Sequence, residues 1–141
     1  MERRTATLND LDFLYNLHRV AMKTYVEEIW GWDEGWQKEY FRQKFDPAAI
    51  EIIRFDGKDV GAVVIEQRDT EVYISNIEIL PEYQNRGIGM GIIREALAAA
   101  EQAEKPVALQ VLKVNRARGL YERLGFSVVG ETQTHYFMRS R

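Results

Sequence analysis

At 141 residues, with 45% hydrophobic, 29% charged and 11% aromatic content, the chain has the make-up of an ordinary globular protein and is read as one domain covering 1–141. The absence of cysteine excludes disulfides, thiolate zinc centres and a cysteine nucleophile, and two histidines, His18 and His135, are too few for a histidine-built metal site, so no metal is expected. A net charge of −3 argues against a nucleic-acid partner, no apolar run is long enough to span a bilayer, and the opening MERRTATLNDLDFL lacks a signal-peptide core, so a cytoplasmic location is expected.

A short first strand is predicted over about Glu2 to Thr7, with Asn9 or Asp10 capping the helix that follows. Leu11, Leu14, Tyr15, His18, Ala21, Met22, Tyr25 and Ile29 recur at helical spacing, which predicts an amphipathic helix carrying His18 on its apolar face as a satisfied core histidine. After WGWD, Asp33 caps a second helix bearing Trp36, Tyr40, Phe41 and Phe45, with Trp36 expected in the core and the DPA of Asp46 to Ala48 as the stop. The period then changes. Ile50 to Phe55, Asp59 to Arg68 and Glu71 to Leu80 are β-branched and alternating, separated by DGK and RDT, and read as an antiparallel meander.

The stretch ILPEYQNRGIGMGIIREALAAA follows, with Gly87, Gly89 and Gly91 at alternate positions ahead of strong helix formers. Ile88, Ile92, Ile93, Ala96, Leu97 and Ala100 share one face of the predicted helix, and Pro106 precedes a strand over Val107 to Leu112. Strand, glycine turn, helix and strand make a right-handed crossover with parallel strands. A short helix over Arg116 to Leu124 is closed by Gly125, and FSVVGET and THYFMR, the latter containing His135, form a final hairpin. The fold class is α/β: a mixed, largely antiparallel sheet of about seven strands with about four helices on both faces.

A glycine turn opening a helix lets main-chain N–H groups approach an anion, since the helix N-terminus carries unpaired donors and the positive end of the dipole. A nucleotide-triphosphate loop needs Lys-Ser/Thr after the second glycine, where this chain has Met90 and Gly91. A dinucleotide fold needs G-x-G-x-x-G and an acid about twenty residues on, where this chain has G-x-G-x-G and Lys113. A third candidate, beside glycines that merely allow tight helix packing, is the pyrophosphate of coenzyme A.

QNRGIG, Gln84 to Gly89, resembles the Q/R-x-x-G-x-G/A signature of the GNAT superfamily of acyl-CoA-dependent N-acetyltransferases, and NRARGLYERLGF, Asn115 to Phe126, resembles that family's later motif. The element order matches along essentially the whole chain. The resemblance implies a splayed central pair of parallel strands, with the pantetheine arm of acetyl-CoA lying between them as a pseudo-strand. It implies cofactor contacts from Ile77, Glu78 and Ile79, from the turn residues Asn85, Arg86, Gly87, Ile88, Gly89 and Met90, and from Asn115 and Tyr121. The Ile79 N–H would polarise the thioester carbonyl, Tyr121 would be the general acid, and Glu78 is the candidate general base, with water as the alternative. The family's acceptor site falls on YVEEIWGWDEGW, Tyr25 to Trp36. There Trp30 and Trp32 are expected to wall a pocket, and Glu28 and Asp33, with Glu27 and Glu34, to attract a cationic amine.

The expected activity is acetyl transfer from acetyl-CoA to a primary amine by direct attack in a ternary complex, the acceptor being a small molecule or an exposed protein amino group and the protein a monomer or homodimer. The alternative is a non-catalytic acyl-CoA sensor or assembly module of the same fold.

Overall fold

The computed structural model describes all of residues 1–141. Its strands are β1 (Glu2–Thr5), β2 (Glu51–Phe55), β3 (Lys58–Gln67), β4 (Val72–Ile79), β5 (Val107–Leu112), β6 (Ser127–Glu131) and β7 (His135–Arg139). Its helices are α1 (Leu11–Trp30), α2 (Glu34–Lys44), α3 (Ile88–Gln102) and α4 (Ala117–Arg123). The seven strands form one sheet in the order β1-β2-β3-β4-β5-β7-β6. Parallel pairing of β4 with β5 runs from Val72 opposite Val107 to Ile74 opposite Leu109, and the β5–β7 and β6–β7 pairs are antiparallel. Thus the parallel pairing and the closing hairpin are as expected, with β7 inserted between β5 and β6.

Contacts cluster in two units, Met1–Val64 with Asn76–Arg86, and Ile65–Ser75 with Gly87–Arg141. In the first unit, Leu14 and Leu17 of α1, Ile52 of β2, Ala62 of β3 and Ala6 form a buried cluster, covered by Phe13, Phe41, Phe45, Ile50 and Leu80. The expected cap of α1 takes a different form. Asp10 caps no helix with its side chain; its Oδ2 accepts from the Thr7 N–H at 2.8 Å while Thr7 Oγ1 accepts from the Asn9 N–H at 3.3 Å, a capping box around a 3-10 turn, Leu8–Asp10. Arg4 donates to both Asp10 oxygens at 2.9 Å and to Asp59 at 3.0 Å. The Arg4 guanidinium holds the Asp10 carboxyl down to about 2.

Helix α1 runs on to Trp30 and ends at Gly31, whose φ of +80° suits glycine. Glu27 and Glu28 therefore lie on the last turn of α1, and the expected long connection shrinks to Gly31, Trp32 and Asp33. Asp33 caps α2 as predicted, its Oδ1 accepting from the Trp36 N–H at 2.9 Å. Trp36 is not in the core: it is 59% exposed and stacks on Tyr40 with ring centroids 4.9 Å apart. Helix α2 carries two aromatic stripes with a four-residue step, Trp36–Tyr40 and Phe41–Phe45, about one residue's rotation apart, and only the second faces the cluster.

In the second unit, Ile88, Ile92, Ile93, Ala96 and Ala100 of α3 are buried, the three isoleucines contributing about 2 kcal/mol each. Val107, Leu109 and Val111 of β5 and Met138 of β7 are buried with them. Strand β6 bulges between Val128 and Gly130, because Val128 pairs with Met138 and Gly130 with Phe137. Gly125, at φ +97°, closes α4.

Candidate active site

The end of β4 is shaped by a glycine on its neighbour. A Cβ at Gly61 of β3 would lie 2.5 Å from the Glu78 carbonyl oxygen and 2.8 Å from Ile79 Cδ1, so only glycine permits this approach. The Leu80 N–H donates to the Val60 carbonyl at 2.8 Å, and strand alternation therefore turns the Ile79 N–H and C=O away from β3. Gln84 Nε2 donates to that Ile79 carbonyl at 2.9 Å, tying the following turn to the strand end. The glutamine that opens QNRGIG thus has a local structural task.

The turn itself is bare backbone. Asn85 and Gly87 both adopt left-handed φ, +62° and +82°, with Arg86 between them, its guanidinium 5.2 Å from the Tyr83 ring centroid. No side chain caps α3, which leaves the Ile88, Gly89 and Met90 N–H groups without intrahelical acceptors. Cβ atoms built on Gly87 and Gly89 meet nothing within 4 Å. Open space in front of uncapped donors at the positive end of a fifteen-residue helix is a cradle for an anion such as a diphosphate.

Elsewhere in the second unit, Asn115 Oδ1 accepts from the Ala117 N–H at 2.9 Å, fixing the start of α4 and leaving its amide donors for another partner. Tyr121, on α4, is 8% exposed, with its ring 5.9 Å from that of Phe126. Burial pushes its phenol above the ordinary tyrosine range, so it stays protonated through neutral pH. A concavity of about 910 Å³ in this unit, lined by Glu101, Lys105, Arg123 and Arg139 among others, contains none of the predicted site residues.

In the first unit, Glu78 and His18 come together from positions sixty residues apart. Glu78 is the one buried charged residue of the chain, its side chain 4% exposed. Its Oε2 lies 2.9 Å from His18 Nδ1, and its Oε1 accepts from Asn76 Nδ2 at 3.2 Å. The alternation of β4 puts Asn76 and Glu78 on one face, and α1 supplies His18 one turn beyond Leu14. His18 stacks on Phe41 at 5.4 Å and lies 6.3 Å from the Trp32 ring. Trp32 is held in turn by Glu34, whose Oε2 accepts from Trp32 Nε1 and from the Tyr15 hydroxyl, each at 2.6 Å. Burial and the Glu34 carboxylate push the Tyr15 phenol up to about 12.

Of the predicted acceptor residues, Trp32 therefore joins this cluster. Trp30 and Glu28 are exposed on the final turn of α1, Asp33 is engaged as a helix cap, and Glu34 is spent on the Tyr15–Trp32 strut. The helical spacing predicts a core histidine at His18, but the residue is half-buried with a carboxylate partner. A polar residue within the Leu14–Leu17 apolar stripe is the sequence signal that points to it.

The sequence model of the acetyltransferase (GNAT) domain matches residues 46–128. An uncharacterized N-acetyltransferase of Methanocaldococcus jannaschii is 30% identical over 135 residues, covering 87% of this chain and 59% of that protein. The [ribosomal protein bS18]-alanine N-acetyltransferase of Haemophilus influenzae is 31% identical over 78 residues, covering 55% of this chain and 53% of that protein. The chain thus spans a little over half the length of these curated relatives. Among solved structures, the PaiA N-acetyltransferase of Thermoplasma acidophilum, in complex with coenzyme A, superposes with a TM-score of 0.79 at 18% identity, covering 99% of this chain and 98% of that one. A protein of Pyrococcus horikoshii does so with a TM-score of 0.76 at 20% identity, covering 99% and 97%. These two likenesses establish the fold. With the family's sequence model spanning more than half of its residues and the fold extending over its length, the chain belongs to the GNAT family of acetyltransferases.

Proposed function

We propose that the protein transfers an acetyl group from acetyl-CoA to a primary amine by direct attack in a ternary complex. The observation that carries this reading is the uncapped start of α3, where left-handed Gly87 and the open space over Gly89 fit a diphosphate. Arg86 adds positive charge beside it. Acetyl-CoA supplies the activated thioester; the chain's own residues bind, orient and move protons. The main-chain groups of Ile77 and Ile79 pair with the cofactor arm in the manner of an added strand, and the Ile79 N–H, turned away from β3, holds the carbonyl oxygen as it takes up charge. Asn115, with its amide donors unspent at the start of α4, offers them to the cofactor.

Tyr121 is the general acid. Its raised pKa keeps the proton available, and it makes donation to a departing thiolate of ordinary pKa about 8.5 uphill by more than the ~2 kcal/mol of an unperturbed tyrosine. The opposite step, removal of the amine proton, falls to the pair that buried Glu78 of β4 forms with His18 of α1. The acceptor reaches the first unit's aromatic cluster around Trp32. The Haemophilus influenzae relative acts on an alanine of ribosomal protein bS18, and that supports an exposed protein amino terminus as one acceptor class beside small primary amines. A cytoplasmic site of action fits such acceptors, and no helix is long and apolar enough to cross a membrane.

Thiol release from acetyl-CoA tests the reading, using spermidine, a simple alkylamine and a peptide with amino-terminal alanine as acceptors. Amine-dependent thiol release with an acetylated product is expected. Tight acetyl-CoA binding without any amine-dependent release would overturn transfer in favour of a sensor or assembly module.

A further inference from the structure

We infer that the group that takes the amine proton is His18 Nε2, and that Glu78 is a positioning residue that fixes the histidine tautomer. The inference rests on the transfer reading above and deepens it.

Glu78 is poorly placed to accept a proton from a substrate itself. Its carboxylate is 4% exposed, and each oxygen already has a partner, His18 Nδ1 on one and Asn76 Nδ2 on the other. A base must come within hydrogen-bond reach of the proton it removes, directly or through one water. His18 is the member of the pair open to an incoming group: its side chain is 28% exposed, and only Nδ1 is engaged, by Glu78. An ionised carboxylate at Nδ1 requires the ring proton to sit there, which leaves a lone pair on Nε2 and stabilises the imidazolium formed when that lone pair is used.

Around the ring lie Glu78 from β4, itself held by Asn76, Phe41 from α2 and Trp32 from the turn between the helices. The neighbouring charges, Arg19 and Glu34, are engaged with each other at 3.6 Å, and Glu34 also with Tyr15 and Trp32. With Phe41 stacked on one face, a tilted Trp32 nearby and a carboxylate at Nδ1, the nitrogen left to accept a proton is Nε2.

The step balances without any further reactant. The amine nitrogen bonds to the acyl carbon and the carbon–sulfur bond breaks; the proton lost by nitrogen goes to His18 Nε2, and the departing thiolate takes one from Tyr121. His18 then releases its proton to water, and Tyr121 regains one from water.

The first test needs no acceptor. The chain has two histidines, so nitrogen-detected NMR of the imidazole groups, with His135→Gln for assignment, reads the His18 tautomer directly. Neutral His18 carrying its proton on Nδ1 is expected, with that preference lost in Glu78→Gln, whose amide can donate to Nδ1. A proton on Nε2 in the unmodified protein would overturn the inference. The second test uses acetyl-CoA and whichever of the three amines above is turned over. His18→Asn keeps an amide donor toward Glu78 but has no basic nitrogen, and its turnover should fall roughly 10²- to 10³-fold with acetyl-CoA affinity within about twofold. Added imidazole should restore part of the turnover of His18→Ala. If Glu78 were itself the base, His18→Asn would keep most of its turnover and imidazole would rescue nothing. Amine transfer by the unmodified protein with an equally active His18→Asn variant overturns this assignment and spares the transfer reading, whereas no transfer to any amine overturns both.

Discussion

Replacing Gly61 with alanine is the sharpest test of how β4 is set. The added methyl carbon would sit 2.5 Å from the Glu78 carbonyl oxygen, and that oxygen is main chain, so no rotamer change can relieve the contact. Carbon–oxygen contacts rarely fall below about 3.3 Å, so β3 and β4 must separate locally by about 0.8 Å. Overpacking of this kind costs about 1–3 kcal/mol. Stretching the neighbouring bond from the Leu80 N–H to Val60, now 2.8 Å, adds about 1 kcal/mol. Alanine also reduces the freedom of the unfolded chain, which offsets about 0.4–1 kcal/mol. The net expectation is a loss of about 1–3.5 kcal/mol, centred on a fall in Tm of ~10 °C. Urea unfolding of both proteins measures it, with Gly35→Ala as the control. There the nearest atom to a new Cβ is 3.6 Å away, and alanine in the first turn of α2 should be neutral or stabilising by up to about 1 kcal/mol. A Gly61→Ala protein within about 0.5 kcal/mol of the unmodified one, by the usual scale of surface substitutions, would refute the claim that glycine is needed for the approach to β4.

Gly89→Val should fold normally, since its Cβ meets no protein atom within 4 Å, and yet bind acetyl-CoA at least tenfold more weakly, about 1.4 kcal/mol; calorimetry giving unchanged affinity would remove the phosphate site from the turn. Tyr121→Phe should lower turnover by roughly 10²- to 10⁴-fold with little change in cofactor affinity, and retained turnover would return the residue to a packing role. In acid, the Arg4–Asp10 pair contributes stability that is fully present above the unfolded carboxyl value of 3.8 and is lost as pH falls through about 2, because the folded value is depressed. Arg4 is about a third exposed, so the contribution is discounted to about 1–2 kcal/mol, and Asp10→Asn should flatten the stability curve between about pH 4 and 2.

The elements of this fold were legible because each rests on local chemistry. Apolar residues every three or four positions announce α1 and α3, β-branched alternation announces β2 to β4, and Asp33 and Gly125 mark helix ends through their own side chain or lack of one. The glycine turn was legible for the same reason, since left-handed backbone at Gly87 is a property of one residue. What escaped depends on which of two local solutions the tertiary structure uses. Trp36–Tyr40 and Phe41–Phe45 are equally apolar stripes on α2, and only the surface that meets them decides which is buried. The same holds for the site. Tyr121 and Asn115 lie within one short motif, whereas His18 and Glu78 lie on a helix and a strand sixty residues apart, and no periodicity of either element encodes their pairing.

The bulge in β6 bears on how this protein behaves when crowded with copies of itself. The sheet ends at β1 on one side and β6 on the other, and a free strand edge invites a second chain to continue the ladder. Strand β1 is four residues long and carries Arg3 and Arg4, which makes it short and charged. Strand β6 is uncharged up to Glu131 and exposes Val128 and Val129, the composition of a sticky edge. The extra residue at Val129, which faces no partner on β7, breaks the even spacing of donors and acceptors that a docking strand would have to match. One surplus valine in a hairpin thus acts as a guard against fibre growth, and a chain shortened by that single residue would gain a straight β6 and lose its protection from self-association.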